Sequence, residues 1–244
     1  MHRGRLMLVL FDIDGTLLKS RGVGLRAMQA ALEELHPPRH PGDTHDVEAI
    51  DTAGRLDPLI WRELLEQRGI EATEEGHEAF RRNYGDRMHS MIEAERPVIC
   101  LDGAAEAVAW VRDHPGLIAA LLTGNYPETG RLKVAGAGID PDDFAFGVWG
   151  FEADTRRGLP PIGIARAGEH LGRPLKPEEA VIVGDTPADI DCARAAGCPV
   201  IAVATGRFST DELAPHDPDE LLEDLSDLER FTSALERCLG SLDP

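Results

Sequence analysis

Two aspartates spaced two residues apart, Asp12 and Asp14, close the apolar run Leu8-Val-Leu-Phe11 and are followed by Gly15-Thr16. In an extended chain, residues i and i+2 share a face, so both carboxylates can address one site. Two bare carboxylates there would repel, and one would stay protonated. A hard cation such as Mg²⁺ removes that penalty. One acid is then free to attack as a nucleophile while the other moves protons. The run before the pair has the pattern of a buried parallel strand. It therefore sets both acids at the strand's C-terminal end, where open α/β sheets bind their ligands.

Two other segments have the same build. Leu121-Leu122 runs into Thr123-Gly124-Asn125, a hydroxyl and backbone N–H groups able to hold a phosphate oxygen, although Thr-Gly-Asn is also ordinary turn chemistry. Ala180-Val-Ile-Val183 runs into Gly184-Asp185, with Asp189 one helical turn further on.

These ends need a sheet to hold them together. Apolar runs at 6–11, 117–122, 144–149, 180–183 and 200–204 alternate with helical patterns at 103–113, 127–137, 161–171 and 187–196. The alternation predicts an α/β fold, a Rossmann-like parallel sheet flanked by helices. Between about Ser20 and Ile92 the alternation stops. Helical patterns at 24–35, 57–67 and 75–91 predict an all-helical insertion, entered through Lys19–Gly22 and left through Glu95–Val98. The division expected is a core of residues 1–18 and 97–244 with a helical cap over 20–93. Ser209-Thr-Asp-Glu212 has the form of a capping box for a short helix.

Asp12-Ile-Asp14-Gly-Thr-Leu resembles the first motif of the haloacid dehalogenase-like (HAD) hydrolase superfamily. Thr123 matches its second motif, and Gly184-Asp185-Thr-Pro-Ala-Asp189 its acidic metal motif. The resemblance is strongest to the phosphoglycolate phosphatase-like group with a helical cap. It implies hydrolysis of a small phosphorylated metabolite, a phosphate monoester, with Mg²⁺. Asp12 would be the nucleophile and Asp14 the acid and base. Asp12, the Asp14 carbonyl and Asp185 would hold the metal, with Asp189 orienting the groups around it. Thr123, Gly124 and Asn125 would receive the phosphate.

The family's third motif supplies a lysine that this chain lacks at the corresponding place. Asp154-Thr-Arg156-Arg157-Gly-Leu-Pro-Pro161 offers two arginines instead. Arginine is a permanent, bidentate cation, and Arg157, ahead of Arg156, is expected to take the role. Lys133, within a helical pattern, reads as a solvated residue, as does Asp191. Gly54-Arg55-Leu-Asp57 resembles a cap segment that faces the active site in phosphoglycolate phosphatase-like proteins. Arg55 is accordingly a candidate contact for a substrate anion, and Asp57 a helix N-cap.

Composition narrows the partners. The formal net charge of −19 disfavours nucleic acid and anionic membrane. The acid-rich stretch 211–229 reads as a solvated helical face. Cys100, Cys192, Cys198 and Cys238 form no CxxC pair, which suits reduced thiols in a cytoplasmic protein. No run is long enough to be a signal or membrane segment. His36, His40 and His45 match no zinc spacing and read as part of a polar connection.

Three rivals to a phosphatase remain at this level. A haloacid dehalogenase has no need of the second acid, Asp14. A phosphosugar mutase shares the phosphorylation chemistry and differs in cap residues. A non-catalytic, phospho-ligand-binding regulatory protein is favoured by the missing lysine and opposed by the intact Asp12, Asp14 and Asp185.

Overall fold

A computed structural model of the chain describes residues 6–38, 40, 47 and 50–240. The elements in chain order begin with β1 (Met7–Phe11), β2 (Leu18–Lys19), α1 (Val23–Leu35), α2 (Asp57–Glu66), α3 (Glu74–Glu95) and β3 (Ile99–Cys100). They continue with α4 (Ala104–Asp113), β4 (Leu117–Leu122), α5 (Pro127–Gly136), β5 (Gly147–Val148), α6 (Leu159–Leu171) and β6 (Ala180–Gly184). The last are α7 (Pro187–Ala196), β7 (Val200–Val203), α8 (Thr210–Leu213), β8 (Glu220–Leu222) and α9 (Leu228–Leu239).

Six strands form one parallel sheet in the order β5-β4-β1-β6-β7-β8. Every residue of β1, β4 and β6 is buried, because helices cover both faces. Alternate residues serve two cores. Val9, Phe11, Leu121 and Val183 pack with Phe231 and Leu235 of α9 on one face. Leu8, Leu10, Leu122 and Ile182 pack with Ala167 of α6 and Ile190 of α7 on the other. Each such aliphatic side chain contributes about 1.5–3 kcal/mol by leaving water.

Register fixes the site. Phe11 of β1 lies opposite Leu121 of β4 and Val183 of β6. The residues just beyond each strand, Asp12, Thr123 and Asp185, therefore emerge at one edge.

β2 and β3 pair antiparallel, Leu18 with Cys100 and Lys19 with Ile99, so the departing and returning connections lie side by side. Among the described residues, the segment between them holds α1, α2 and α3 and no strand. Its interior is aromatic: Trp61 stacks on His77 at 4.6 Å, and Phe80 on Tyr84 at 5.4 Å. His77 Nε2 lies 2.7 Å from the hydroxyl of Tyr126, which opens α5 of the core.

Several expectations are corrected. The strand expected at 144–149 shortens to Gly147–Val148. It is an edge strand with β4 alone to pair with, although Ala145 N–H still donates to Ala119 at 2.9 Å. The stretch 211–229 is not a helical face. Pro215 and Pro218 break it, leaving α8, a turn and the parallel strand β8, which was too short and acidic to recognise. Ser209 does form the capping box, its N–H donating to Glu212 at 2.9 Å. The four cysteines are unpaired. His45 lies outside the described residues, and no helix among them is long and apolar enough to cross a membrane.

Candidate active site

Asp12 leaves the end of β1 with its N–H donated to the Val183 carbonyl at 2.9 Å, which ties it to β6 and to Asp185 beyond. Asp12, Asp185 and Asp189 are all buried, and they bring carboxylate oxygens within 4.8 Å of one another. Thr16 donates its hydroxyl to Asp185 at 3.1 Å. Gly15 takes a left-handed φ of 88° there, and a Cβ on it would sit 2.3 Å from an Asp185 oxygen. Only glycine lets the loop after β1 close over Asp185.

Asp189 is the third residue of α7 and fully buried. One oxygen accepts from the Thr186 N–H at 3.0 Å and the Thr186 hydroxyl at 2.6 Å, capping the helix. The other accepts from Arg156 Nε at 3.1 Å and from a terminal guanidinium nitrogen at 2.5 Å. That same nitrogen lies 3.3 Å from Asp12. Arg156 thus joins the nucleophile candidate to the metal motif.

Arg157, expected to fill this place, does not. The short 3₁₀ turn over Arg156–Gly158 points it to solvent, where it pairs with Asp191 at 2.7 Å. Its side chain is 64% exposed, against 8% for Arg156.

Among the described residues one cation, Arg156, faces three buried carboxylates, which leaves an excess of negative charge. Burial, then repulsion from Asp189 and from Asp12, raises Asp185 to about 8. Asp12 rises to about 7, through burial first, against the pull of Arg156. Hard oxygen donors with this imbalance fit a divalent cation.

Asp14 stands in contrast. Burial pushes its carboxyl up, but the Lys133 ammonium and hydrogen bonds from Lys133, Asn125 and Ser20 outweigh it and hold the group below the ordinary value. Lys133 is buried, not solvated as expected. Its Nζ donates to Asp14 and to the Asn125 carbonyl oxygen, each at 2.6 Å. Asn125 in turn donates its amide to Asp14 at 2.9 Å and to the Thr123 hydroxyl at 2.8 Å. Thr123, Asn125 and Lys133 therefore form one network around the second acid. The four-residue spacing of Thr129 and Lys133, both buried on α5, with Asn125 in the turn just ahead of the helix, was the available signal.

The helical segment closes over these groups. Gly124 and its neighbours meet the loop before α2: the Asp57 N–H donates to the Gly124 carbonyl at 2.8 Å. Gly54, at φ 68°, packs against α7, where a Cβ would lie 2.6 Å from that of Ala188. Its carbonyl accepts from Arg156 at 3.4 Å. Arg55 turns its guanidinium to Glu63 at 2.6 Å instead of projecting it at the acids. Asp57 is not the N-cap of α2; Leu56 is.

Comparison with known proteins adds an independent line. The model of the haloacid dehalogenase-like hydrolases matches residues 6–197. The chain is 29% identical to pyrophosphatase PpaX of Listeria innocua, over 92% of this chain and 95% of that protein. It is 32% identical to tyrosine-protein kinase PtkA of Mycobacterium bovis, over 82% of this chain and 62% of that protein. Among solved structures, a predicted phosphoglycolate phosphatase from Haemophilus somnus superposes with a TM-score of 0.67 at 22% identity, covering 93% and 98% of the two chains. CbbY from Rhodobacter sphaeroides, in complex with phosphate, gives 0.67 at 18% identity, covering 91% and 96%. The strand-end acids, the parallel sheet and the family match agree, and the chain belongs to the haloacid dehalogenase-like hydrolases.

Proposed function

We propose that this HAD-family phosphatase hydrolyses a small phosphate monoester through an aspartyl-phosphate on Asp12, with Mg²⁺ as its ion. The observation that carries the reading is the division of labour between the two acids. Asp12 stands in a cluster starved of positive charge, while Asp14 is held apart by Lys133 and Asn125. Asp12, the Asp14 carbonyl and Asp185 would hold the ion, which when bound offsets the charge of the carboxylates and of the phosphoryl oxygens.

The chain's own groups do the rest. Asp12 attacks phosphorus as the ester oxygen departs. Asp14 rests ionised beside Lys133, and the charge of an incoming phosphoryl group raises its proton affinity. It takes up a proton from solvent or from a singly protonated phosphoryl group as the substrate binds, and gives it to the leaving alkoxide. Asp14 next takes a proton from water, which attacks the aspartyl-phosphate at phosphorus, releasing phosphate and restoring Asp12. Arg156 and the Thr123 and Gly124 end of β4 steady the phosphoryl oxygens. Residues 20–93 act as the cap that excludes water during these steps.

The buried Arg156 and Lys133 supply the positive charge whose absence favoured a non-catalytic reading. Phosphate release from p-nitrophenyl phosphate with Mg²⁺, and its loss in Asp12→Asn, tests the proposal. Equal release by Asp12→Asn would overturn it.

A further inference from the structure

Between the strand ends and the helices α1–α3 lies a cavity of about 290 Å³. Among the described residues four glycines line it: Gly22, Gly24, Gly54 and Gly124. Three of them are required by the chain itself. Gly22 and Gly54 take left-handed backbone, at φ 75° and 68°, and a Cβ on Gly124 would sit 2.0 Å from the Arg55 carbonyl oxygen. Gly24 has neither reason. It is the second residue of α1, its φ is not positive, and a Cβ on it would meet its nearest neighbours at an ordinary 3.5 Å. Alanine would serve the helix better there, because glycine loses more backbone entropy on folding.

The neighbours show what the missing side chain leaves open. They are Lys133 Nζ and the Tyr84 hydroxyl, each 3.5 Å from the Cβ position, and both residues are buried in the cavity wall. Lys133 Nζ donates to Asp14 and to Asn125, each at 2.6 Å, which uses two of an ammonium's three N–H groups. Only that ammonium separates the space at Gly24 from Asp14, the acid that meets the leaving oxygen. The space is bordered by an ammonium and a hydroxyl, which suits a polar branch of the leaving group. A residue longer than alanine would have to displace Lys133 or Tyr84 or enter the cavity.

We propose that Gly24 determines specificity. Its bare Cα holds open the part of the cavity that takes the leaving group, and admits an alcohol branched at the ester carbon whose hydroxyl reaches Lys133 and Tyr84. The inference rests on the phosphomonoesterase reading above and narrows it to the alcohol half of the substrate.

The test compares two alkyl esters with Mg²⁺, ethyl phosphate and glycerol 2-phosphate, whose leaving groups both need protonation and differ in branching. The wild-type enzyme should show the higher kcat/KM for glycerol 2-phosphate. Gly24→Ala should raise the melting temperature by about 1–4 °C, as replacing a helical glycine does in a chain of this size. The same variant should lower the ratio of kcat/KM for glycerol 2-phosphate over ethyl phosphate by about tenfold, the low end of what one methylene discriminates. A glycine kept for structure would give the opposite pair, a lower melting temperature with both esters affected alike. Either a fall in melting temperature or an unchanged ratio therefore overturns the role of Gly24. A wild-type preference for ethyl phosphate, or turnover of p-nitrophenyl phosphate with neither alkyl ester, overturns it while leaving the phosphatase intact. Failure to hydrolyse any of the three esters would bring down the underlying reading as well.

Discussion

Replacing Arg156 with alanine should cost far more than replacing its neighbour Arg157. The Arg156 guanidinium is 8% exposed and contacts a fully buried Asp189 at 2.5 Å and a 7% exposed Asp12 at 3.3 Å. Its removal leaves Asp12, Asp185 and Asp189 facing one another with no cation. Breaking a buried pair by deleting one partner typically costs roughly 3–5 kcal/mol, because the other charge stays buried. At about 2–4 °C per kcal/mol for a chain of this size, the melting temperature should fall by roughly 6–20 °C. The Arg157–Asp191 pair is 64% and 51% exposed. Exposed pairs are worth about 0–1 kcal/mol, so Arg157→Ala should shift the melting temperature by under about 4 °C. On catalysis, Arg156→Ala should lose roughly 10²–10³ in kcat/KM on p-nitrophenyl phosphate, as for an oriented charge removed from a closed site. Arg157→Ala should lose less than about twofold. Arg156→Lys keeps the charge, and should recover stability better than activity since it cannot reach both carboxylates at once. Thermal melts and steady-state kinetics on the three variants decide the matter. Comparable losses in Arg156→Ala and Arg157→Ala would refute the reasoning.

Lys133→Met should lower the melting temperature by roughly 4–8 °C, from about 2 kcal/mol for a pair between the exposed and buried extremes, and its effect should not add to that of Asp14→Asn; strict additivity would show that the pair is not coupled. Asp14→Asn should cut hydrolysis of an alkyl phosphate more than that of an aryl phosphate, whose leaving group needs little protonation, and equal losses would remove Asp14 from the acid role. Because Asp12 and Asp185 are raised to about 7 and 8, the metal-free protein holds stability that is full below about pH 4 and lost as pH rises through those values. Bound Mg²⁺ removes that penalty, so the rise in melting temperature on adding Mg²⁺ should be larger at pH 8.5 than at pH 6; the reverse order would contradict the carboxylate cluster as the binding site.

The acids were legible in the sequence because each ends an apolar run, and a parallel sheet gathers such ends at one edge. The parallel sheet and the helical segment between β2 and β3 followed from where periodicity changes. Lys133 was misread because a lone lysine in a helical pattern is usually solvated; only the turn of α5 toward Asp14 buries it. Arg156 and Arg157 could not be separated, since they sit in a short 3₁₀ turn with no period to say which faces inward. Asp57 looked like a helix cap because it stands beside Pro58 at the start of α2, and its burial against Gly124 depends on packing between elements distant in sequence. Strand β8 was hidden by its length of three residues and by the acids around it.

The proposed mechanism requires Asp12 to carry the phosphoryl group. Mixing the enzyme with p-nitrophenyl phosphate and Mg²⁺, quenching early, reducing with borohydride and mapping the peptides by mass reads this out directly. An aspartyl-phosphate is reduced to homoserine, whereas a free carboxylate is untouched. Homoserine should appear at position 12, only with substrate, and vanish in Asp12→Asn. Turnover with no reduced residue at position 12, or with reduction at Asp14 or Asp185 instead, would contradict it.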